Sequence, residues 1–332
     1  MNIIIDAMSG DYAPRETVKG AVLAKREYDA DITLVGDEEI IKKTADELGL
    51  KLDGIGIIHA ADVLTMEDDP LSVVRAKKNS SMSVGLRELK NGGDAFVSAG
   101  NTGALHAGAS LIVRSLKGVQ RAAIATVLPF RKPVLLIDCG ANTSVTPEYM
   151  VQWATMGSVY MNKLFGIAEP RVGLINNGTE EHKGTSVYVE TYKLLKSGEL
   201  NFIGNVESRE IPTSPCDVLV ADGFTGNIVL KLIEGMGKFM VSTLKELYSS
   251  NAASKLSFLA VKNNVMKVRR GLDASEYGGA PLLGLAKPVI KAHGSSDANA
   301  IKNAVGQAVK FVQTDVIPTI SSKIAENKEM DT

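Results

Sequence analysis

The chain has 332 residues, 45% of them apolar, and its 37 basic and 38 acidic side chains leave a formal net charge of -1. That much apolar material can build the core of one large or two ordinary domains, and the even charge gives no global attraction to nucleic acid. Two cysteines without a CxxC, Cys139 and Cys216, and four scattered histidines suggest neither a disulfide framework nor a zinc site, and fit a reducing compartment.

The elements follow in chain order. The N-terminus, MNIIIDAMSGDYAP, lacks the basic start and long apolar stretch of a secretory signal, and no apolar run approaches the roughly 18 residues of a bilayer span. A cytosolic protein, not integral to a membrane, is expected. NIIID reads as a strand, PRETVKGAVLAKREYD as a helix, ITLVGD as a strand, EEIIKKTADELGL as a helix and GIGIIHA as a strand. Further strands are expected over 94–98, 124–128, 134–138, 171–176, 202–204 and 218–221, with helices after most of them. Such alternation argues for an α/β protein with a largely parallel sheet. No linker, repeat or shift in composition marks a boundary, so 1–332 reads as a single α/β domain with room for two intertwined halves. Helical pattern from about 225 to 270 suggests a pair of helices projecting from the core, an arm over 236–275. A last helix is expected over 297–323.

Six strand ends break into polar, glycine-rich turns: DAMSGD (6–11), SAGNTGAL (98–105), DCGAN (138–142), NNGTEEHKGT (176–185), ADGFTGN (221–227) and AHGSSD (292–297). Ligands of open α/β sheets bind beyond the carboxyl ends of strands, where helix N-termini offer free N–H groups. Glycine lets backbone approach an anion, and Ser, Thr and Asn both cap helices and hydrogen-bond ligands. Any one turn alone is a tight connection with a good cap; six together suggest one polar cleft suited to phosphate.

Known motifs do not account for these turns. Gly54-Ile55-Gly56 opens a strand instead of following one and lacks the third glycine of a dinucleotide fingerprint. The run 178–185 exchanges Lys and Gly relative to a Walker A motif, although a lysine beside glycines at a helix start still holds phosphate as a point charge. Cys139 has no basic neighbour in sequence and reads as a buried small hydrophobe. His182 and His293 lie in candidate turns, where ligand contact and exposed capping are both open, while His59 and His106 read as structural. Asp6, Asp138 and Asp222 close apolar strands; fixing their own turns is the favoured role, with a metal cluster as the alternative.

Taken together, IDAMSGDYAP, KKNSSM (77–82), SAGNTGAL, LIDCGAN, NNGTEEHKGT, ADGFTGN, EYGGAPLLGL (276–285) and AHGSSDANA closely resemble the PlsX family, the acyl-acyl-carrier-protein:phosphate acyltransferases of bacterial phospholipid synthesis. The matches run in order from residue 3 to about 300. Ser9 and Cys139 depart from the family wording, which has DAMGGD and LDVGAN there; a cysteine at 139 argues that no thiol is required at that place. The resemblance implies a three-layer α/β/α fold like that of the isocitrate and isopropylmalate dehydrogenases, assembled as a homodimer. It also implies a reaction in which inorganic phosphate attacks the thioester of a long-chain acyl group on acyl carrier protein, giving acyl phosphate for a downstream membrane glycerol-3-phosphate acyltransferase. No metal or organic cofactor is needed for it.

That chemistry assigns expected roles. Lys183 neutralises phosphate or the tetrahedral oxyanion, and Asn227 donates an amide hydrogen bond to the reacting carbonyl oxygen. Phosphate and substrate contacts are expected from Asp6 and Gly10, from Asn101, Thr102 and Gly103, from Asp138 and Asn142, from Asn177, Gly178 and Thr179, from Asp222, Gly223, Thr225 and Gly226, and from His293, Gly294, Ser295 and Ser296. The segment 251–270 carries five basic residues and no acidic one. Lys255, Phe258, Val261, Lys262 and Val265 are expected to contact an anionic membrane surface or the carrier protein, or to pack at a dimer interface. Two competitors are a decarboxylating hydroxy-acid dehydrogenase on the same fold, which needs nicotinamide and a divalent metal, and a catalytically silent scaffold for the carrier protein.

Overall fold

A computed structural model of the chain describes residues 1–130, 132–249 and 278–330. Strand β1 (Asn2–Asp6), helix α1 (Arg15–Glu27), β2 (Asp31–Gly36), α2 (Glu38–Glu47), β3 (Ile55–His59), α3 (Ser81–Asn91), β4 (Ala95–Ser98) and α4 (Thr102–Gly108) make up the first part. Then come β5 (Ala123–Leu128), β6 (Val134–Ile137), α5 (Pro147–Phe165), β7 (Val172–Asn176), α6 (Ser186–Ser197), β8 (Phe202–Glu207), β9 (Val218–Val220) and the long α7 (Gly223–Ser249). Strands β10 (Ala280–Leu283) and β11 (Val289–Lys291) and helices α8 (Ala298–Gln313) and α9 (Val316–Met330) follow the segment 250–277, on which much of the expected arm falls and which lies outside the described residues.

The strands form one sheet in the order β3-β2-β1-β4-β11-β10-β5-β6-β9-β7-β8. Helices cover both of its faces, giving a three-layer α/β/α sandwich. Runs such as Ile3, Ile4, Ile5 and Val218, Leu219, Val220 are buried throughout, the pattern of parallel strands covered on both sides. The apolar core extends from there to Trp153, Tyr160 and Met156 on α5 and to Val305 and Phe311 on α8.

The sheet is parallel in each half and reversed at its centre. Strands β1 to β4 and β11 run one way; β10 is antiparallel to β11 and to β5, and β5 is antiparallel to β6, so β6, β9, β7 and β8 run the other way. The carboxyl ends of β1, β4 and β11 therefore leave one edge of the sheet, and those of β6, β9 and β7 leave the opposite edge.

Two local expectations change. The final helix is broken, with Thr314 extended (φ -102°, ψ 132°) between α8 and α9. Pro318 accounts for this, because its ring clashes with the carbonyl four residues back, that of Thr314, in a continuous helix. Strand β11 is the one expected to end before 292, whereas β10, short and with Pro281 inside it, is not among the expected strands. Helix α7 begins against the core, but none of residues 227–248 is buried, so it projects from the sandwich.

Candidate functional site

Within one chain the six turns form two groups of three instead of a single cleft. Turns 138–142, 176–185 and 221–227 follow β6, β7 and β9; turns 6–11, 98–105 and 292–297 follow β1, β4 and β11. Between β6 and β11 lie β5 and β10, a separation of about 14 Å across the sheet alone.

In the first group two carboxylates build the turns. Asp138, fully buried, accepts at Oδ1 from the N–H groups of Ile124 (3.0 Å), Gly140 (3.2 Å) and Ala141 (3.1 Å), and at Oδ2 from Asn142 N (2.7 Å) and Nδ2 (2.9 Å). Burial pushes its carboxyl above the ordinary range against these bonds. The Asn142 amide also donates to Ala122 O at 2.9 Å, so both of its protons stay inside the protein. Asp222 accepts at Oδ1 from Phe224 N and Thr225 N, both at 2.9 Å, and at Oδ2 from Thr225 Oγ1 (2.7 Å) and Tyr188 Oη (2.6 Å). Burial acts to raise its carboxyl, but the bonds from Tyr188 and Thr225 outweigh it and hold the group below its usual value. Asp138 and Asp222 thus shape turns, and the side-chain donors of Asn142 and Thr225 are spent on them.

Helix α7 starts hard against the 138–142 turn. Gly223 N donates to Asn142 O at 2.8 Å, and a Cβ on Gly226 would stand 1.9 Å from Asp138 O. Only glycine permits that approach, which sets Asn227 beside Gly140, its Nδ2 3.2 Å from where a Cβ on Gly140 would lie. In the 176–185 turn, Asn176 Nδ2 donates to Lys183 O at 3.0 Å and Lys183 N donates to Glu180 O at 3.1 Å. The Lys183 stem lies over Gly178, with Cγ 3.1 Å from that glycine's would-be Cβ. Asn177 and Thr179 are exposed at the same turn. Neither the Lys183 ammonium nor the Asn227 amide has a hydrogen-bond partner among the described residues. Two uncommitted donors therefore stand at the starts of α6 and α7, where helix dipoles add positive potential.

The second group is more self-contained. Asp6 Oδ2 accepts from Ser98 Oγ at 2.8 Å and Oδ1 from Met8 N at 3.3 Å; burial raises this carboxyl. Asn101 caps α4 through Oδ1 to Ala104 N (3.1 Å), and its Nδ2 donates to Met66 O (2.9 Å). Thr102 and Gly103 are exposed at the start of that helix. Asp11 N donates to Gly294 O at 2.8 Å, bringing Gly10 and Gly294 together. His293 Nδ1 accepts from Ser295 N (3.2 Å) and lies 2.8 Å from Ser295 Oγ, while buried Ser296 donates its N–H to His293 O at 3.0 Å.

Lys291, absent from the sequence expectations, completes this group. It pairs in register with Ser98, beside Asp6, in one row across β11, β4 and β1. The side chain is half-buried; desolvation pushes its ammonium down to about 8, against the attraction of Asp11 and Asp6. A lysine on the last residue of an apolar strand was the available signal.

Cys139 is not a nucleophile. Its buried thiol donates to Ile124 O at 3.2 Å, and desolvation drives its pKa far upward. Among the described residues no group of three His, Cys, Asp or Glu side chains could hold a metal ion, and no helix is long and apolar enough to cross a membrane. Lys255, Phe258, Val261, Lys262 and Val265 lie outside the described residues.

Comparison with known proteins decides the family. A family model described as "Fatty acid synthesis protein" matches residues 1–319. The phosphate acyltransferase of Alkaliphilus oremlandii (strain OhILAs) is 46% identical over 327 residues, 98% of each chain. The chain belongs to this phosphate acyltransferase family. Among solved structures it is similar to a phosphotransacetylase from Streptococcus pyogenes, with a TM-score of 0.64, 17% identity and 94% of each chain covered. It is also similar to 4-hydroxythreonine-4-phosphate dehydrogenase from Klebsiella pneumoniae, with a TM-score of 0.55, 12% identity and coverage of 94% and 99%. These two likenesses bear out the dehydrogenase-like fold. Membership of the phosphate acyltransferases makes the chain an acyl-transferring enzyme of fatty acid and phospholipid synthesis, which removes the silent scaffold from consideration.

Proposed function

We propose that the enzyme transfers a long-chain acyl group from the thioester of acyl carrier protein directly to inorganic phosphate. A phosphate oxygen attacks the thioester carbonyl, the C–S bond breaks, and the products are acyl phosphate and the carrier thiol, which takes its proton from solvent. Lys183 neutralises the phosphate and the developing oxyanion, and Asn227 donates to the carbonyl oxygen. The single observation that carries this reading is the uncommitted pair of donors, Lys183 and Asn227, beside the aspartates Asp138 and Asp222, whose carboxylates are taken up by the turns, and a buried thiol. Such a site lacks a nucleophile of its own but suits one supplied as an anion.

The assay follows free thiol released from palmitoyl-acyl carrier protein as phosphate is raised, without added metal. Phosphate-dependent release is expected from the wild type, and Lys183→Ala and Asn227→Ala should each lower kcat/KM for phosphate by about 10²- to 10³-fold while their folds persist. Full activity in both variants would remove the assignment.

The functional unit is proposed to be a homodimer. Phe224, Ile228, Leu232, Met236, Phe239, Met240 and Leu247 on α7 are each between 48% and 63% exposed, mostly at four-residue spacing, which is more apolar surface than one projecting helix leaves in water. The stripe begins in the turn that carries Asn227, so a second copy seated on it would adjoin the site. The acyl phosphate product, an activated and amphipathic anhydride, fits consumption by a membrane glycerol-3-phosphate acyltransferase, with 251–270 as the proposed contact to an anionic surface or to the carrier.

A further inference from the structure

The two uncommitted donors sit on different elements, and one side chain ties those elements together. Tyr188 lies in the first turn of α6, five residues after Lys183, and is buried. Its hydroxyl donates to Asp222 Oδ2 at 2.6 Å and accepts from Asp222 N at 3.1 Å. It therefore grips both the backbone and the side chain of the residue that starts α7. Asp222 in turn holds Phe224 N, Thr225 N and Thr225 Oγ1, the turn that leads to Asn227. On the other side, Gly184 has φ +92°, and a Cβ there would meet Tyr188 Cβ at 3.0 Å. The backbone that carries Lys183 is thus folded tightly onto Tyr188.

We propose that Tyr188 is a positioning residue for the reaction: through its paired bonds to Asp222 it sets the Lys183 turn against the Asn227 helix. This inference rests on the functional reading above and deepens it. Both protons between Tyr188 and Asp222 are already placed in the resting enzyme. Burial pushes the phenol upward, while the bonds from Tyr188 and Thr225 hold the carboxyl below its usual value. The pair keeps one protonation state through the neutral range and works as a fixed strut, without taking part in proton transfer.

The test is Tyr188→Phe, which keeps the ring and deletes the hydroxyl, measured in the wild type and in the Asn227→Ala background by single-turnover thiol release. Misplacing one donor relative to the other should lower kcat about tenfold or more in the wild-type background. In the Asn227→Ala background the same change should cost less than about threefold, because the group it positions is already gone. Asp222→Asn, which keeps the shape and removes an acceptor for the hydroxyl, should show the same non-additivity, and stands in if Tyr188→Phe folds poorly. Equal losses in both backgrounds, or a fully active Tyr188→Phe, would overturn the inference while leaving the reaction intact. A wild type that releases no thiol with phosphate would remove the functional reading and this inference with it.

Discussion

At the scale of single residues, polar side chains in this protein divide into those that make the turns and those that remain free to act. The sequence marks Asp6, Asp138, Asp222, Asn142 and Asn101 as turn residues of a polar site, and turn-fixing was legible for the aspartates from the small residues that follow them. The use of the Asn142 and Asn101 amide donors inside the protein was not legible, because their partners, Ala122 and Met66, lie 20 and 35 residues away. Lys291 was missed for the same reason, since its neighbours Ser98 and Asp6 come from far upstream. Its environment gives a prediction with a definite sign. The folded protein holds this proton less tightly than the unfolded chain, from 10.5 down to about 8, so between those values the unfolded state binds more protons and stability rises with pH. Measured by denaturant titration, the stability of wild type minus that of Lys291→Met should be flat below about pH 8 and rise by about 3 kcal/mol by pH 10.5. A flat difference over the whole range would show that the ammonium is solvated.

At the scale of elements, the alternation of apolar runs with helical segments was enough to place most strands and helices, because buried parallel strands are continuous apolar runs. It failed where prolines interrupt the pattern, at β10 and the α8–α9 break. Helix α7 runs over Gly223–Ser249 with no buried residue from 227 to 248. Its apolar stripe is the basis of the second-copy proposal, and Leu232→Glu with Phe239→Glu should convert dimer to monomer in analytical ultracentrifugation. Both side chains are more than 60% exposed within one chain, so the double variant should keep the thermal midpoint of the sandwich. A dimer that persists would place the contact elsewhere and leave this stripe to the segment 250–277 or to another partner.

At the scale of the whole molecule, the reversal of strand direction was invisible in sequence, since apolar runs do not report which way a strand points. It depends on β10 and β5 running antiparallel to their neighbours, and β10 is the strand that sequence did not reveal. Six similar turns therefore suggested one cleft where the chain has two groups on opposite edges of its sheet. The group at β6, β7 and β9 holds Lys183 and Asn227 and carries the proposed chemistry, whereas in the other group Asn101 is spent within the protein and Ser9 Oγ is buried without a hydrogen-bond partner among the described residues. The central claim is that phosphate itself is the nucleophile and that no acyl-enzyme forms. The most direct measurement mixes enzyme at substrate-level concentration with palmitoyl-acyl carrier protein in phosphate-free buffer and follows thiol release together with intact protein mass. The account predicts no burst and no mass gain until phosphate is added, and then stoichiometric thiol and acyl phosphate. A burst equal to the enzyme concentration, with one palmitoyl group added to the protein, would contradict it.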